Sequence, residues 1–173
     1  MDRPQPDDAG LLGLAREAAS TVTDPELPML TLADLGVLRG VDVEHDHVVA
    51  TITPTYTGCP AMDTMRADLL LALHRAGCGR AEVRTSLSPP WSTEDITERG
   101  HRLLAEHGIA PPGPVRRTSG PVPLMLGRRP VEVTCPRCGA ERTREVSHFG
   151  STACRAIRRC PSCGETFDHV KEH

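Results

Sequence analysis

Two C-x-x-C-G turns, Cys135-Pro136-Arg137-Cys138-Gly139 and Cys160-Pro161-Ser162-Cys163-Gly164, lie twenty-one residues apart near the end of the chain. Each aims two thiolates at one point, and the following glycine permits the backbone turn. Cys135, Cys138, Cys160 and Cys163 complete a tetrahedral ligand set, the chemistry of a structural Zn2+ site. Four thiolates also bind iron, so zinc against iron stays open. A closed set leaves no position for substrate, which makes this metal a holder of structure. Chemistry must be sought elsewhere, and Cys59, in Thr55-Tyr56-Thr57-Gly58-Cys59-Pro60, is the thiol best placed for it. With Pro60 suited to a first helical turn, Cys59 is expected at a helix N-cap, where backbone N–H groups favour the thiolate. Such a thiol is a nucleophile or a soft-metal ligand; the plainer reading is a small buried apolar group.

Asp24 and Glu26 stand in the turn Asp24-Pro25-Glu26-Leu27-Pro28. Two carboxylates there could serve a metal or a thiol proton, but Asp-Pro also favours turns for local reasons. Cys154, between the two C-x-x-C turns, is a spare ligand, a second working thiol or packing. Cys78, after Gly77, reads as packing. His148 and His169 flank the cysteine set and read as surface or supporting groups, since four thiols already fill the site. The chain contains no phosphate-binding glycine loop, no Ser-His-Asp set and no metalloprotease motif.

The elements that must position these residues follow from periodicity. Residues 9–21 read as a short helix, and alternating valines on either side of His45-Asp46-His47 read as a hairpin. Met62, Met65, Leu69 and Leu73 recur at helical spacing over 60–76, residues 81–87 alternate as a third strand, and Ser92 with Asp95 forms a capping box for a last helix ending at Gly108. The expected fold is α/β: a small two-layer α-β-β-α-β-α domain over 8–112, a Pro/Gly/Arg linker over 113–130, and a four-cysteine zinc-ribbon module over 131–173. An apolar run at 122–126 within the linker is suited to docking. About forty residues bury little core, so metal binding supplies most of the module's folding free energy.

The chain has 173 residues and seven cysteines. That odd count with metal spacing, no apolar run long enough for a bilayer and no leader at Met1 together predict a cytoplasmic protein without membrane attachment. Residues 1–110 carry nine basic and seventeen acidic side chains, whereas 111–130 carry four arginines and no acid. Uneven charge of this kind can steer different partners to different parts of a chain.

Together, Asp24-Pro25-Glu26, Leu35-Gly36-Val37 and Pro54–Pro60 resemble the SUF-T-like domain of iron–sulfur assembly proteins. Trp91-Ser92-Thr93-Glu94-Asp95, the Gly108-Ile109-Ala110-Pro111-Pro112 ending and a ribbon containing Phe149-Gly150-Ser151-Thr152-Ala153-Cys154 narrow the resemblance to the D subunit of bacterial phenylacetyl-CoA epoxidase systems. It covers about 20–112 and 131–170. The tail 167–173 departs from the more aromatic end that the resemblance leads one to expect.

The resemblance implies an accessory subunit in aerobic phenylacetate degradation. Such a subunit matures or repairs a metal centre, foremost the [2Fe–2S] cluster of the reductase. It further implies that Cys59 transiently holds iron or a cluster, supported by Asp24 and Glu26, with Cys154 or a second copy of the chain as additional ligand sources. The reductase and oxygenase subunits would be its partners. A non-catalytic scaffolding subunit is the alternative reading, and a zinc-ribbon nucleic-acid-binding protein is another. Scarce aromatics and an acidic first domain weigh against nucleic acid. The lack of a di-iron carboxylate/His set or a flavin or nicotinamide fingerprint weighs against a catalytic subunit.

Overall fold

A computed structural model describes residues 8–45, 47–56, 58–113 and 131–172. Nearly all of the expected linker, with its apolar run at 122–126, lies outside them. The described residues form two compact units. One comprises the residues up to Trp91 together with Asp95–Gly100; the other comprises Ser92–Glu94 and the residues from His101 onward.

In the first unit, helix α1 (Asp8–Ser20) precedes the hairpin β1 (Leu38–Glu44) and β2 (His47–Ile52). Glu44 pairs with His47 across the turn, and His45 takes a φ of 51°. That left-handed value is what a two-residue hairpin turn requires at its first position. Helix α2 (Met62–Arg75) then crosses over to β3 (Ala81–Thr85), which pairs parallel to β2. The sheet order is β1-β2-β3, with mixed direction. α1 packs on β1 and β2, α2 on β3, and the helices on each other, giving the expected two-layer α/β fold. Val48, Ala50, Ile52, Leu69 and Leu73 are fully buried between the layers, as their spacing predicts.

The segment between α1 and β1 is also core. Leu30, Leu32 and Val37 are completely buried, and its backbone is tied by Asp24 N–H to Leu30 O (2.9 Å) and Leu32 N–H to Val22 O (2.8 Å). At Leu35-Gly36-Val37 the chain turns with Gly36 at φ 67°. A Cβ on Gly36 would stand 2.5 Å from the Asp95 carbonyl oxygen. Only glycine satisfies both the left-handed backbone and that approach. The buried Trp91 donates its indole N–H to Leu35 O at 2.8 Å, so two motifs distant in sequence form one joint.

Two expected helix starts are corrected. α2 opens at Met62 with Ala61 as its N-cap, not with Cys59 at the cap. Cys59 N–H bonds Tyr56 O (3.3 Å) and Met62 N–H bonds Cys59 O (3.4 Å), so successive turns occupy the backbone before the helix begins. Nor do Ser92 and Asp95 mark the start of the last helix. Ser92 Oγ accepts Glu94 N–H at 3.3 Å, a single 3-10 turn follows at Thr93–Asp95, and Asp95 binds Arg39 at 2.9 Å. Helix α3 (Glu98–Glu106) is capped instead by Thr97, whose Oγ1 accepts Gly100 N–H at 3.0 Å.

The second unit contains β4 (Arg144–Ser147), β5 (Arg155–Arg159) and β6 (Thr166–Val170), an antiparallel sheet in that order. Ala110 adds to its edge: Ala110 N–H donates to Asp168 O (2.8 Å) and Val170 N–H to Ala110 O (3.0 Å). Residues 101–112, expected with the first domain, therefore group with the ribbon. Its small core comprises Ala110, Val133, Cys135, Cys160 and Phe167.

Candidate functional site

The ribbon brings four of the expected site residues together. The sulfurs of Cys135, Cys138, Cys160 and Cys163 all lie within 4.8 Å of one another. Cys135 Sγ is 3.8 Å from Cys163 Sγ, and Cys138 Sγ is 3.6 Å from Cys160 Sγ. A tetrahedron with metal–sulfur bonds of about 2.3 Å has edges of about 3.8 Å. A disulfide would need about 2.05 Å, and none of the seven cysteines is in a disulfide.

The two turns are built alike. Gly139 N–H donates to Cys135 O and Cys135 N–H to Ala140 O, both at 2.9 Å; Gly164 N–H donates to Cys160 O (2.9 Å) and Cys160 N–H to Glu165 O (2.8 Å). Gly139 and Gly164 take φ values of 72° and 79°, the left-handed conformation that closes each turn. One cysteine of each pair, Cys135 and Cys160, is buried, while Cys138 and Cys163 are exposed.

Electrostatics favour a cation there. Backbone N–H groups of Cys163 and Ser162 aim at Cys160 and outweigh its desolvation, bringing its thiol down to about 6. At Cys138 the Ala140 N–H pulls the other way, but hydrogen bonding with Cys163, desolvation and the other thiols drive it up to about 12. One thiol ionises readily and its neighbour resists, because the hydrogen bonds among the sulfurs favour a thiolate at Cys160 and a protonated thiol at Cys138. A bound cation removes that resistance, so the donor set, spacing and charge all fit one metal ion.

Cys59 stands apart from this cluster, half-buried in the loop from β2 to α2. Tyr56 donates its hydroxyl to Gly58 O at 3.2 Å, fixing one side of the loop. Gly58 has φ 88° and open space where a Cβ would stand. Cys78 is buried at 1 % exposure, and desolvation pushes its thiol up. At neutral pH Cys59 is therefore expected to alkylate faster than Cys78 by an order of magnitude or more. Time-resolved iodoacetamide labelling with peptide mass spectrometry reads this; equal rates would contradict it. The contrast rests on access and on burial of Cys78, since Cys59 does not occupy an N-cap.

Asp24 is buried, and its Oδ1 accepts the N–H groups of Glu26 and Leu27, each at 2.8 Å. It braces the Asp-Pro-Glu turn, on which Glu26 is exposed. Among the described residues, Asp24, Glu26, Cys59 and Cys154 join no second cluster of three or more metal-ligating groups. Cys154 is half-buried, its sulfur 3.1 Å from Thr152 Oγ1. His169 is buried in β6, and desolvation followed by the charge of Arg158 brings it down to about 4, so it is neutral at pH 7. His148 lies in the β4–β5 connection.

Sequence reasoning missed Asp34. Its Oδ2 accepts Thr31 Oγ1–H (2.8 Å) and Thr31 N–H (3.2 Å) and pairs with Arg99, while its Oδ1 accepts Thr97 Oγ1–H at 3.2 Å. The local hint was a hydroxyl three residues before a carboxylate, Thr31-Leu32-Ala33-Asp34. Missed too was Arg158, buried with its guanidinium donating to Thr143 Oγ1 (3.0 Å) and to the carbonyls of Val131 and Thr143 (3.1 Å each).

Comparison with known proteins places both units. Residues 119–171 match the model of the PaaD zinc beta ribbon domain, and residues 15–84 match that of iron-sulfur cluster assembly proteins. The chain is 39 % identical over 152 residues to an Escherichia coli (strain K12) protein assigned as the D subunit of a 1,2-phenylacetyl-CoA epoxidase, covering 88 % of this chain and 87 % of that protein. Among solved structures it is similar to a DUF59 domain of unknown function from Bacillus anthracis, with 25 % identity and a TM-score of 0.51 over 56 % of this chain and 93 % of that one. With an assembly-type α/β unit, a four-cysteine ribbon and a relative matched across nearly its whole length, the chain belongs to the PaaD family.

Proposed function

We propose that this chain is an accessory subunit of a phenylacetyl-CoA epoxidase system that matures or repairs an iron–sulfur centre through Cys59, with the reductase [2Fe–2S] cluster as its target. The observation that carries the reading is the thiol itself. Cys59 lies within the segment matched by the iron–sulfur assembly model, outside the four-cysteine cluster, beside a glycine flanked by open space. Ionised, it donates a sulfur lone pair to iron and releases its proton to solvent. A client thiolate then displaces it by ligand exchange, with no change of oxidation state required. Soft thiolate ligation from an open loop suits cargo that must leave again. Further ligands would come from the client, from Cys154 or from a second copy of the chain.

The ribbon metal is proposed to be zinc, which favours four thiolates in a closed tetrahedron and has no redox chemistry. Asp24 supports the site by holding the turn that presents Glu26. The functional division proposed is an assembly domain at 8–112, whose last residues 101–112 pack in the ribbon's unit, a linker at 113–130 and the ribbon at 131–173, with oxygenase and reductase subunits as partners. Among the described residues no helix is long and apolar enough to cross a membrane. The test is the cluster content of the reductase matured beside wild-type chain or Cys59→Ser.

A further inference from the structure

The β4–β5 connection and the strand before it present two large apolar side chains to solvent. Phe149 is 65 % exposed and Val146 58 %, whereas Trp91 and Phe167 are buried. Their exposure is built in. The register slips between Glu145 and Ser147, so Val146 is the extra residue of a β-bulge. The turn beyond it is braced throughout: Ser147 Oγ–H donates to Phe149 O (2.8 Å), Gly150 N–H to Arg155 O (2.8 Å) and Lys171 Nζ–H to His148 O (3.3 Å). Behind it the buried Arg155 bonds Thr152 Oγ1 at 3.0 Å and Asp168 at 3.2 Å. A turn fixed this thoroughly gives up little conformational freedom on binding.

Basic side chains lie around the turn, alongside the carboxylate of Glu145, which stands 3.6 Å from His148. Lys171 Nζ stands 4.9 Å over the Phe149 ring centroid. Arg144 and Arg159, both exposed, face each other directly across β4 and β5, a like-charge pairing that costs stability unless carboxylates stand between them. We infer that the β4–β5 turn is a protein-docking surface, on which Phe149 and Val146 enter an apolar cleft of a partner whose rim supplies carboxylates to Lys171, Arg144 and Arg159. An exposed, pre-set aromatic with a charged border is the usual anchor of a protein interface. Nucleic acid fits less well. Lys171 occupies one face of the ring, Val146 offers no stacking surface, and 131–173 carry seven basic against six acidic side chains.

Docking here goes beyond cargo handling at Cys59; only the choice of partner rests on the family reading. The test immobilises the full metal-loaded chain and measures binding of the separately purified oxygenase and reductase subunits, with a fluorescent single-stranded oligonucleotide as a further analyte. Phe149→Ser and Lys171→Glu, with metal content unchanged, are expected to weaken binding of one subunit by ~10-fold or more. Leu87→Ser, which alters an equally exposed residue of the first unit, is expected to leave it unaltered. Equal binding by Phe149→Ser and wild type would overturn the inference, as would equal weakening by Leu87→Ser. Oligonucleotide binding lost with Phe149→Ser would overturn it in favour of nucleic acid. Failure of every subunit to bind wild type would also overturn it, while the Cys59 reading answers separately to cluster content.

Discussion

Removing the metal, or replacing Cys160 with Ser, is expected to unfold β4–β6 and leave β1–β3 with their helices folded. The ribbon core consists of Ala110, Val133, Cys135, Cys160 and Phe167, so two of its five members are themselves ligands. The apolar residues that remain, Ala110, Val133 and Phe167 with Ala156 and Val170 of the strands, bury far too little apolar surface to offset ordering some forty residues. Structural zinc in comparable small modules contributes about 10–16 kcal/mol near neutral pH, so its loss exceeds any reserve of stability the unit holds. Amide NMR resolves the outcome by residue. Signals of 131–172 should collapse to random-coil positions under chelation while those of 38–85 persist. Retention of the ribbon sheet without metal would contradict a metal-built module, and loss of both sets would contradict separate stability of the first unit.

Asp34→Ala is expected to destabilise the first unit by about 2–4 kcal/mol, the range for removing a buried, multiply bonded carboxylate. At 6 % exposure, Asp34 gathers Thr31, Thr97 and Arg99. Desolvation raises its pKa, but the hydrogen bonds from Thr31 and Arg99 outweigh it and hold the carboxyl below its ordinary 3.8. Because the folded value is depressed, the unfolded chain binds more protons in acid. The stabilisation is thus complete above the unfolded value and fades as pH falls through that value and the lower folded one. Arg99 is 56 % exposed, so screening by solvent leaves most of the effect to the Thr31 bonds. Urea unfolding of wild type and Asp34→Ala at pH 7 and below pH 4 should show the gap narrowing in acid. A difference below about 0.5 kcal/mol at pH 7 would show that Asp34 does not hold the joint.

What was legible in the sequence was local. Alternating valines gave the β1–β2 hairpin, helical spacing gave α2, and the C-x-x-C-G pairs gave a site whose ligands lie in two short turns. What was not legible depended on distant partners. Cys59 misses the N-cap because Tyr56 O and Met62 N–H engage its own backbone in successive turns. The Ser92–Asp95 pattern marks a 3-10 turn rather than the start of α3, and Asp95 meets Arg39, far away in the chain. Asp34 gave only its Thr31 neighbour as a hint, for Thr97 and Arg99 lie 63 and 65 residues on. Ala110 looked like the end of a helical domain, yet its backbone groups pair with β6. Apart from Cys59, whose rival bonds are close by, local propensity was overridden by a tertiary contact that no window of sequence contains.

Cys59 is proposed as the residue that carries iron–sulfur maturation. The most direct test is iron and acid-labile sulfide per reductase, purified anaerobically after co-production with wild-type chain, with Cys59→Ser or with neither. A full [2Fe–2S] complement is expected beside wild type, and a fall with Cys59→Ser to the level found without the chain, while ribbon metal stays constant. Full cluster content beside Cys59→Ser would contradict that role.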